Sequence, residues 1–499
     1  MTMIPVRRSV PVKGMNTVSQ PRSMGEEFAP VIENLWYNDG VSLRKRLRHS
    51  IANTTVAPDG GIKDMFEYSY NGVTTMFVQS LLGIIYTADN VLNTYTTTGI
   101  TITGNINTAQ LKDILVVADE TGVIHTYNGA VWGTPTTVSA PVGAGVVGNL
   151  FVTFKGRIYA AGHPTFPLTV FISDTITNTG ANYWSQTVGA AGELGYLLDC
   201  SGDISSSDVI TGVSYHRGML VVFCKNHLLF YTVAESPTAG LRTYLYKAIK
   251  GEGCVSQKSI QAIGEETIFL SPNGFKKLSV SLIQGDSQVN DLSNPINNEV
   301  KALVNSATTL PSTIRSTYNP KYGLYICNVG TTITWCYQTQ FEGWFRWTGI
   351  NNALYTDTAL NTHASAAYDC LLSDSISFMD ELAPAVLTPI QSTWTISPFR
   401  GAGIEHKPRW RKFEMIYESS LVTDSVSIGY YPDMDVTALA PIVYPVVSTA
   451  TVSNGLNTGK FELPVYGRSE IVSFEIMHNG NSDFRMKNVE VYMNDGGLR

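Results

Sequence analysis

The sequence predicts an all-β protein: a β-propeller-like body, an extended N-terminal arm before it, and a C-terminal antiparallel β-sheet or sandwich after it. Three observations carry this. One phrase recurs along the middle of the chain: a strand, a tight glycine turn, then a strand led by an aromatic or branched residue. Charged residues are only 15%, below the usual quarter, while Gly, Thr, Ser, Asn and Tyr are plentiful. Helical spacing shows in a single segment.

Residues 1–60 hold scattered Pro and Gly with little periodicity and read as an extended basic arm. They carry eight Lys/Arg against five acids, net +3, which leaves −10 on the remainder of a chain whose total is −7. The run "LRKRLRHS" (43–50) alternates: Leu43, Lys45 and Leu47 on one face, Arg44, Arg46 and Arg48 on the other. It reads as a strand that buries leucines and presents arginines, to phosphate, to an acidic partner, or as a charge-protected edge. Phe28, Val31, Ile32, Leu35 and Trp36 call for burial in an arm too polar to fold alone. The expectation is therefore an interface through Arg44, Arg46, Arg48 and Trp36, with another protein or a neighbouring subunit.

Residues 61–399 repeat the strand–turn–strand phrase, as in "YSYNGVTTMFV" (68–78), "ILVVADETGVIHTYNG" (114–129), "LFVTFKGRIYAAG" (150–162) and "VSYHRGMLVVF" (213–223). Glycine supplies the positive φ of such turns, and alternation supplies half-buried strands. Recurrence at roughly 35–60 residues is the spacing of a propeller with variable loops; a pair of jelly rolls or sandwiches is the alternative. The stretch "TWCYQTQFEGWFRWTG" (334–349) reads as an aromatic hairpin. Trp335 and Tyr337 are expected on one face, and Trp344 with Arg346 on another. The segment "NPINNEVKALVNSA" (294–307) predicts one short helix, with Val300, Leu303 and Val304 at helical spacing. Residues 400–499 open basic and aromatic, then alternate cleanly. They form a separate β domain, unless their last strand pairs back into the first blade.

No catalytic constellation stands out. The "DETG" (119–122) and "GEET" (264–267) carboxylates sit in turn contexts. The eight histidines make no HxH or HExxH grouping. "GAGVVGNLF" (143–151) has glycines but no lysine of a phosphate loop. Six cysteines, at 200, 224, 254, 327, 336 and 370, form no CxxC pair and read as small buried hydrophobes in a reducing compartment, although Cys327 and Cys336 lie on neighbouring runs that could face each other. The expectation is no enzyme, no cofactor and no metal. No apolar leader opens the chain, and no run of 18 apolar residues is present. The acidic balance argues against bulk attraction to nucleic acid.

The order "GEEFAPVIENLWYNDGVSLRKR" (25–46), "GRIYAAG" (156–162), "PLTVFISDTITNTGANYWSQ" (167–186) and "DCSGDISSSDVITGVSYHRGMLVVFCKNHLLFYTV" (199–233) resembles the tail nozzle proteins of short-tailed bacteriophages. These are also described as tail tubular or packaged-DNA stabilisation proteins. "GEETIFLSPNGFKKLS" (264–279) and "EGWFRWTG" (342–349) continue the pattern, and "EHKPRWRKFEMIYE" (405–418) fits more weakly. The resemblance implies a homo-hexameric ring of propeller bodies below the head-to-tail adaptor. Its partners would be that adaptor, tail fibres or spikes, and double-stranded DNA in transit without tight binding. The place would be the virion tail, after assembly in the host cytoplasm. Trp335, Tyr337, Trp344 and Trp347 then read as blade core. The runner-up is a receptor-binding tail spike or fibre-type protein.

Overall fold

The computed structural model describes residues 4–20, 23–37, 40–46, 48–51, 58–89, 94–133, 146–174, 184, 195–204, 207–236, 240–280, 287–306, 311–329, 333–348, 377–380, 390–400, 408–420, 425–433, 442–445, 448–451, 457–480 and 482–494. Six consecutive runs each fold into a four-stranded antiparallel meander. Blade 1 runs from Ile62–Tyr70 to Thr94–Thr101, blade 2 from Asn107–Leu111 to Trp132–Gly133, and blade 3 from Leu150–Phe154 to Tyr196–Asp199. Blade 4 runs from Ile210–His216 to Gly240–Lys250, blade 5 from Gln261–Ile263 to Ser287–Asp291, and blade 6 from Arg315–Asn319 to Gly343–Trp347. The chain is an all-β propeller.

The glycine phrase marks the turn between the first and second strand of a blade. Asn71-Gly72, Lys155-Gly156 and Arg217-Gly218 all have both residues at positive φ, 51° and 79°, 46° and 72°, 48° and 75°. Two residues in that region match the twist of a two-residue hairpin, and glycine takes the second at no steric cost.

The strands are buried more completely than alternation implied. In Met219–Cys224, every residue after Met219 is buried. Leu220, Val222 and Cys224 pack toward blade 3, while Val221 and Phe223 pack toward blade 5 against Phe269 and Leu278. A blade is sandwiched between two neighbours, so its central strands read as continuous apolar runs. Shared apolar clusters of this kind join blades 1 to 2, 2 to 3, 3 to 4, 4 to 5 and 5 to 6. Blade 1 keeps a further small cluster of its own, Ile62, Met65, Met76 and Val78, in which blade 6 has no share.

The arm is not a separate element. Val31–Glu33 inserts between blade 6 and Ile390–Thr395, parallel to the first and antiparallel to the second. The blade 6 sheet thereby continues through Ile390–Thr395, Ile471–Gly480, Ser425–Pro432 and Ile442–Pro445. A second sheet contains Leu35–Tyr37, Leu43–Lys45, Phe484–Asn494, Arg409–Ser419, Asn457–Arg468 and Ser448–Thr451, with Ile4–Ser9 paired to Phe484–Asn494. The two sheets face each other as a sandwich, where Phe413 meets Phe474 with ring centres 4.5 Å apart. The expected boundaries at 60 and 399 therefore dissolve: both ends of the chain build the sandwich, and the last strand pairs with the arm, not with blade 1.

Gly14 lets the arm approach blade 6 closely. At φ 73°, an added Cβ would lie 2.3 Å from the Trp344 carbonyl oxygen. The helix falls at Asn297–Val304, with Val300 buried and Leu303 and Val304 packed on the main core.

Candidate functional site

The first strands of the blades surround a common axis, and two cavities lie among them. One, of about 530 Å³, is lined from blades 2, 3, 4 and 6 and the segment between blades 4 and 5 by residues including Asn107, Asn149, Thr211, Gln257, Lys258 and Arg315. The other, of about 200 Å³, adds Asp64 and Met65 of blade 1 and shares Asn107, Gln257, Lys258 and Arg315. Each side chain is placed by its strand. Asp64 sits at a bulge opposite Gln79, and Arg315 begins the first strand of blade 6. Lys258 sits in the one-turn helix Gln257–Ser259 between blades 4 and 5.

Their electrostatics are unusual for a core. The Lys258 ammonium hydrogen-bonds Asp64 Oδ2, and Arg315 Nη2 lies 3.4 Å from the same oxygen. Arg315 also donates to the Ile314 carbonyl at 3.0 Å and to Asn105 Oδ1 at 3.3 Å. Burial alone would push the Asp64 carboxyl up, but Lys258 and Arg315 outweigh it and hold it below the usual range. Burial, with Arg315 alongside, pushes the Lys258 ammonium down to about 8 against the pull of Asp64. This ionic cluster joins blade 1 to blade 6, where among the described residues no apolar cluster spans the two.

The flanking segment is a hub. Gln257 Oε1 accepts from Val213 N at 2.6 Å and its Nε2 donates to Val213 O at 3.0 Å, gripping the first strand of blade 4 beside its bulge. Ser316 Oγ donates to the Lys258 carbonyl at 2.6 Å, and Tyr325 OH to the Ser259 carbonyl at 2.8 Å.

The carboxylate pairs noted in the sequence are engaged in structure. Asp119 Oδ1 accepts from Thr121 N and Oγ1 at 3.0 and 2.6 Å, while Glu120 accepts from Asn105 N and Nδ2 at 2.8 and 2.6 Å. Glu265 pairs with Arg217, and Glu266 with Lys277 at 3.0 Å. His163 Nδ1 accepts from two backbone amides, and His227 Nδ1 lies 2.6 Å from Asp208. Among the described residues, no three His, Cys, Asp or Glu side chains gather as metal ligands. Cys200, Cys224, Cys254, Cys327 and Cys336 are free and buried; Cys370 lies outside the described residues. Cys327 pairs with Trp335, and Ile326 with Cys336, so the two thiols are one register step apart on opposite faces.

Trp335, Tyr337, Trp344 and Trp347 are all buried in blade 6. The register corrects the expected faces. Trp335 opposes Arg346 and Tyr337 opposes Trp344, so these four share one face, while Phe345 and Trp347 take the other. Trp344 stacks on Phe275 of blade 5 at 4.7 Å and donates to Leu292 O, and Trp347 donates to Leu35 O of the arm.

The interface expected at Arg44, Arg46, Arg48 and Trp36 is overturned for three of the four. Trp36 is fully buried, donates to Lys45 O at 3.0 Å and meets Tyr322 edge-on. Arg44 forms a two-pronged pair with Asp483, at 3.0 and 2.7 Å. Arg46 is buried too, and burial lowers its guanidinium pKa to about 10. Both faces of the strand are covered, because Asp483 brings a countercharge from the far end of the chain. Arg48 opens a strand paired with Ser377–Asp380, and its side chain lies outside the described residues.

Asp64, Lys258 and Arg315 were not singled out from the sequence. The available signal was a charge set into an apolar first strand, as in "GIKDMFEY" (61–68).

No protein-family model matches the chain, and no curated protein matches it. Among solved structures, the chain is similar to the Myceliophteria thermophila Cps50 (Swd1) beta-propeller domain. That likeness has 9% identity and a TM-score of 0.40, and it covers 66% of this chain and 99% of that one. The propeller assignment rests on the six sheets.

Proposed function

We propose that this chain is a structural virion protein of the tail nozzle type. It would act as a homo-hexameric ring subunit that sits below the head-to-tail adaptor, retains packaged DNA and conducts it during ejection. The observation that carries the reading is the use made of residues 25–46, the opening segment of the resemblance. They bind propeller and sandwich into one sheet system through Val31–Glu33 and Leu35–Tyr37. A conduit subunit has to transmit force between its parts without hinging, and a continuous hydrogen-bonded sheet resists that better than a linker. In this reading the protein has no catalytic role, needs no cofactor, and works in the phage tail. An acidic balance of −7 suits a conduit, since DNA carries a charge about every 1.7 Å and a basic wall would hold it.

The neighbour contact is best supplied by the outer strand of blade 4, Gly240–Lys250. Tyr244, Leu245 and Tyr246 are consecutive and exposed there, beside a bulge in the pairing with His227–Ser236. Arg242 and Lys250 flank them, complementary to the acidic remainder of a second copy. The test is the native mass of full-length protein, alone and with the adaptor, for wild type and for Tyr244→Ser/Tyr246→Ser. Six copies of wild type on the adaptor and fewer for the variant are expected. A three-fold assembly would refute the nozzle reading; an unaltered hexamer of the variant would refute the blade 4 edge alone.

A further inference from the structure

We infer that the larger axial cavity is a binding site for a neutral, polyhydroxylated small molecule built on a sugar-like ring. The cavity lies inside a single subunit, so the assignment does not depend on the nozzle reading. Its charged groups argue for a neutral guest. Lys258 bonds Asp64, and Arg315 lies against Asp64 and donates to Asn105. Glu120 accepts from Asn105 N and Nδ2, and its charge acts on Lys258 through space. These groups serve one another. A charged guest would have to disturb a contact that already exists in order to gain its own.

The polar groups left open in the wall are neutral. Asn107 begins the first strand of blade 2, Asn149 immediately precedes that of blade 3, and both are half-buried. Neither amide has a hydrogen-bond partner among the described residues, and the Ser256 hydroxyl gives nothing to the one-turn helix that follows it. Thr211 donates to the Cys254 carbonyl at 2.7 Å and keeps its oxygen lone pairs for an incoming donor. Gly162 keeps the space beside Asn149 clear, since a Cβ there would lie 2.8 Å from Asn149 Oδ1. An amide presents donor and acceptor together, and a hydroxyl answers either. Leu150, Ile210, Val255 and Pro311 complete the wall as aliphatic surface, on which the C–H faces of a sugar can pack. Among the described residues no aromatic ring lines this cavity, so a nucleobase would find nothing to stack on. A wholly apolar guest would leave the amides and the hydroxyl unpaired. The volume of about 530 Å³ lies within the roughly 300–1,000 Å³ of small-molecule sites.

Saturation-transfer NMR of the full-length protein tests this, with methyl glucoside, methyl galactoside and N-acetylglucosamine titrated separately at neutral pH. At least one should bind saturably, with a Kd of about 10 mM or tighter, and the tightest gives the stereochemistry of the guest. Glucosamine and glucuronate, cationic and anionic, should bind more weakly than that sugar. Asn107→Leu and Asn149→Leu each remove an amide while keeping much of its volume, and each should weaken binding about tenfold. Ser256→Ala, a smaller change, should weaken it about threefold and decides the matter if the leucine variants do not fold. Lys112→Gln, on a hairpin turn that lines neither cavity, should leave binding unchanged. No saturable binding of any of the three neutral sugars would overturn the assignment. So would equal or tighter binding of glucosamine or glucuronate, or binding that the folded variants at positions 107, 149 and 256 leave intact.

Discussion

Replacing Asp64 by Asn keeps the shape of the axial cluster and removes the carboxylate that Lys258 and Arg315 share. Lys258 and Arg315 then face each other without the carboxylate they share, and the Met65 amide keeps its acceptor in the Asn oxygen. Removing one partner from a buried pair typically costs about 3–5 kcal/mol. Here the loss has a ceiling, because Lys258 can discharge. Its fall from 10.5 to about 8 already corresponds to about 3 kcal/mol of disfavoured charge, at about 1.4 kcal/mol per pKa unit. Without Asp64 it falls further and sheds its proton near neutrality. Discharging a group of pKa about 8 at pH 7 costs about 1.4 kcal/mol, and the lost Arg315 contact about 1 kcal/mol, so a loss of about 2–3 kcal/mol at pH 7 is expected. The sign with pH follows from the lowered value. Between about 8 and 10.5 the folded state binds fewer protons at Lys258 than the unfolded state, so this group adds stability as pH rises. At pH 9.5 Lys258 is neutral in both proteins, only the Arg315 contact distinguishes them, and the gap should shrink to about 1 kcal/mol. Urea denaturation of full-length wild type and variant at both pH values, followed by tryptophan fluorescence, measures it. Equal midpoints at pH 7, or a loss that does not change with pH, would refute the reasoning.

Trp344→Ala should cost about 3–5 kcal/mol, because it empties a buried site, removes the stack on Phe275 and leaves the Leu292 carbonyl without its donor; the urea midpoint reads this. Arg44→Gln should cost about 1–2 kcal/mol at pH 7, since it leaves the half-buried Asp483 carboxylate with only the 3.2 Å contact to Arg485. Burial would raise Asp483, but Arg44 holds it below the usual range, so the deficit should close as pH falls through that depressed pKa. Thermal unfolding from pH 7 down to pH 3 follows it. Gly218→Val should lower stability by about 1–2 kcal/mol, because a β-branched residue does not tolerate the φ of 75° at that turn, and differential calorimetry measures the shift.

What was legible in the sequence was local. Asn71-Gly72, Lys155-Gly156 and Arg217-Gly218 announced their hairpins because the φ a two-residue turn requires is a property of those residues alone. The helix at Asn297–Val304 and the burial of the four blade 6 aromatics were legible for the same reason. What was missed depended on partners far along the chain. Arg44 looked exposed because alternation with leucine is the pattern of a half-buried strand, and nothing near it signals Asp483. Blade strands buried on both faces lose the alternation altogether, as "MLVVFC" (219–224) does. The facing of Trp335 and Trp344 turned on register, where one step reverses every side chain. The axial cluster escaped because it draws Asp64 and Arg315 from two strands and Lys258 from a one-turn helix, and these three settings share no motif.

The seam strand also sets a timetable for biosynthesis. Leu35 and the Trp347 that donates to it are 312 residues apart. At roughly 5–20 residues per second, a ribosome needs roughly 15–60 s to deliver the second after the first. Through that interval blades 1 to 5 can form, each on the one before, while Ile32 waits with no sheet to join and Leu35 and Trp36 have only the local pairing with Leu43–Lys45. The waiting segment is apolar, flanked by arginines, and able to pair as an edge, which makes it the natural client of a chaperone during translation. A stop codon anywhere before blade 6 would release a chain with most of a propeller and an unsheltered first strand, prone to aggregate instead of persisting as a soluble fragment.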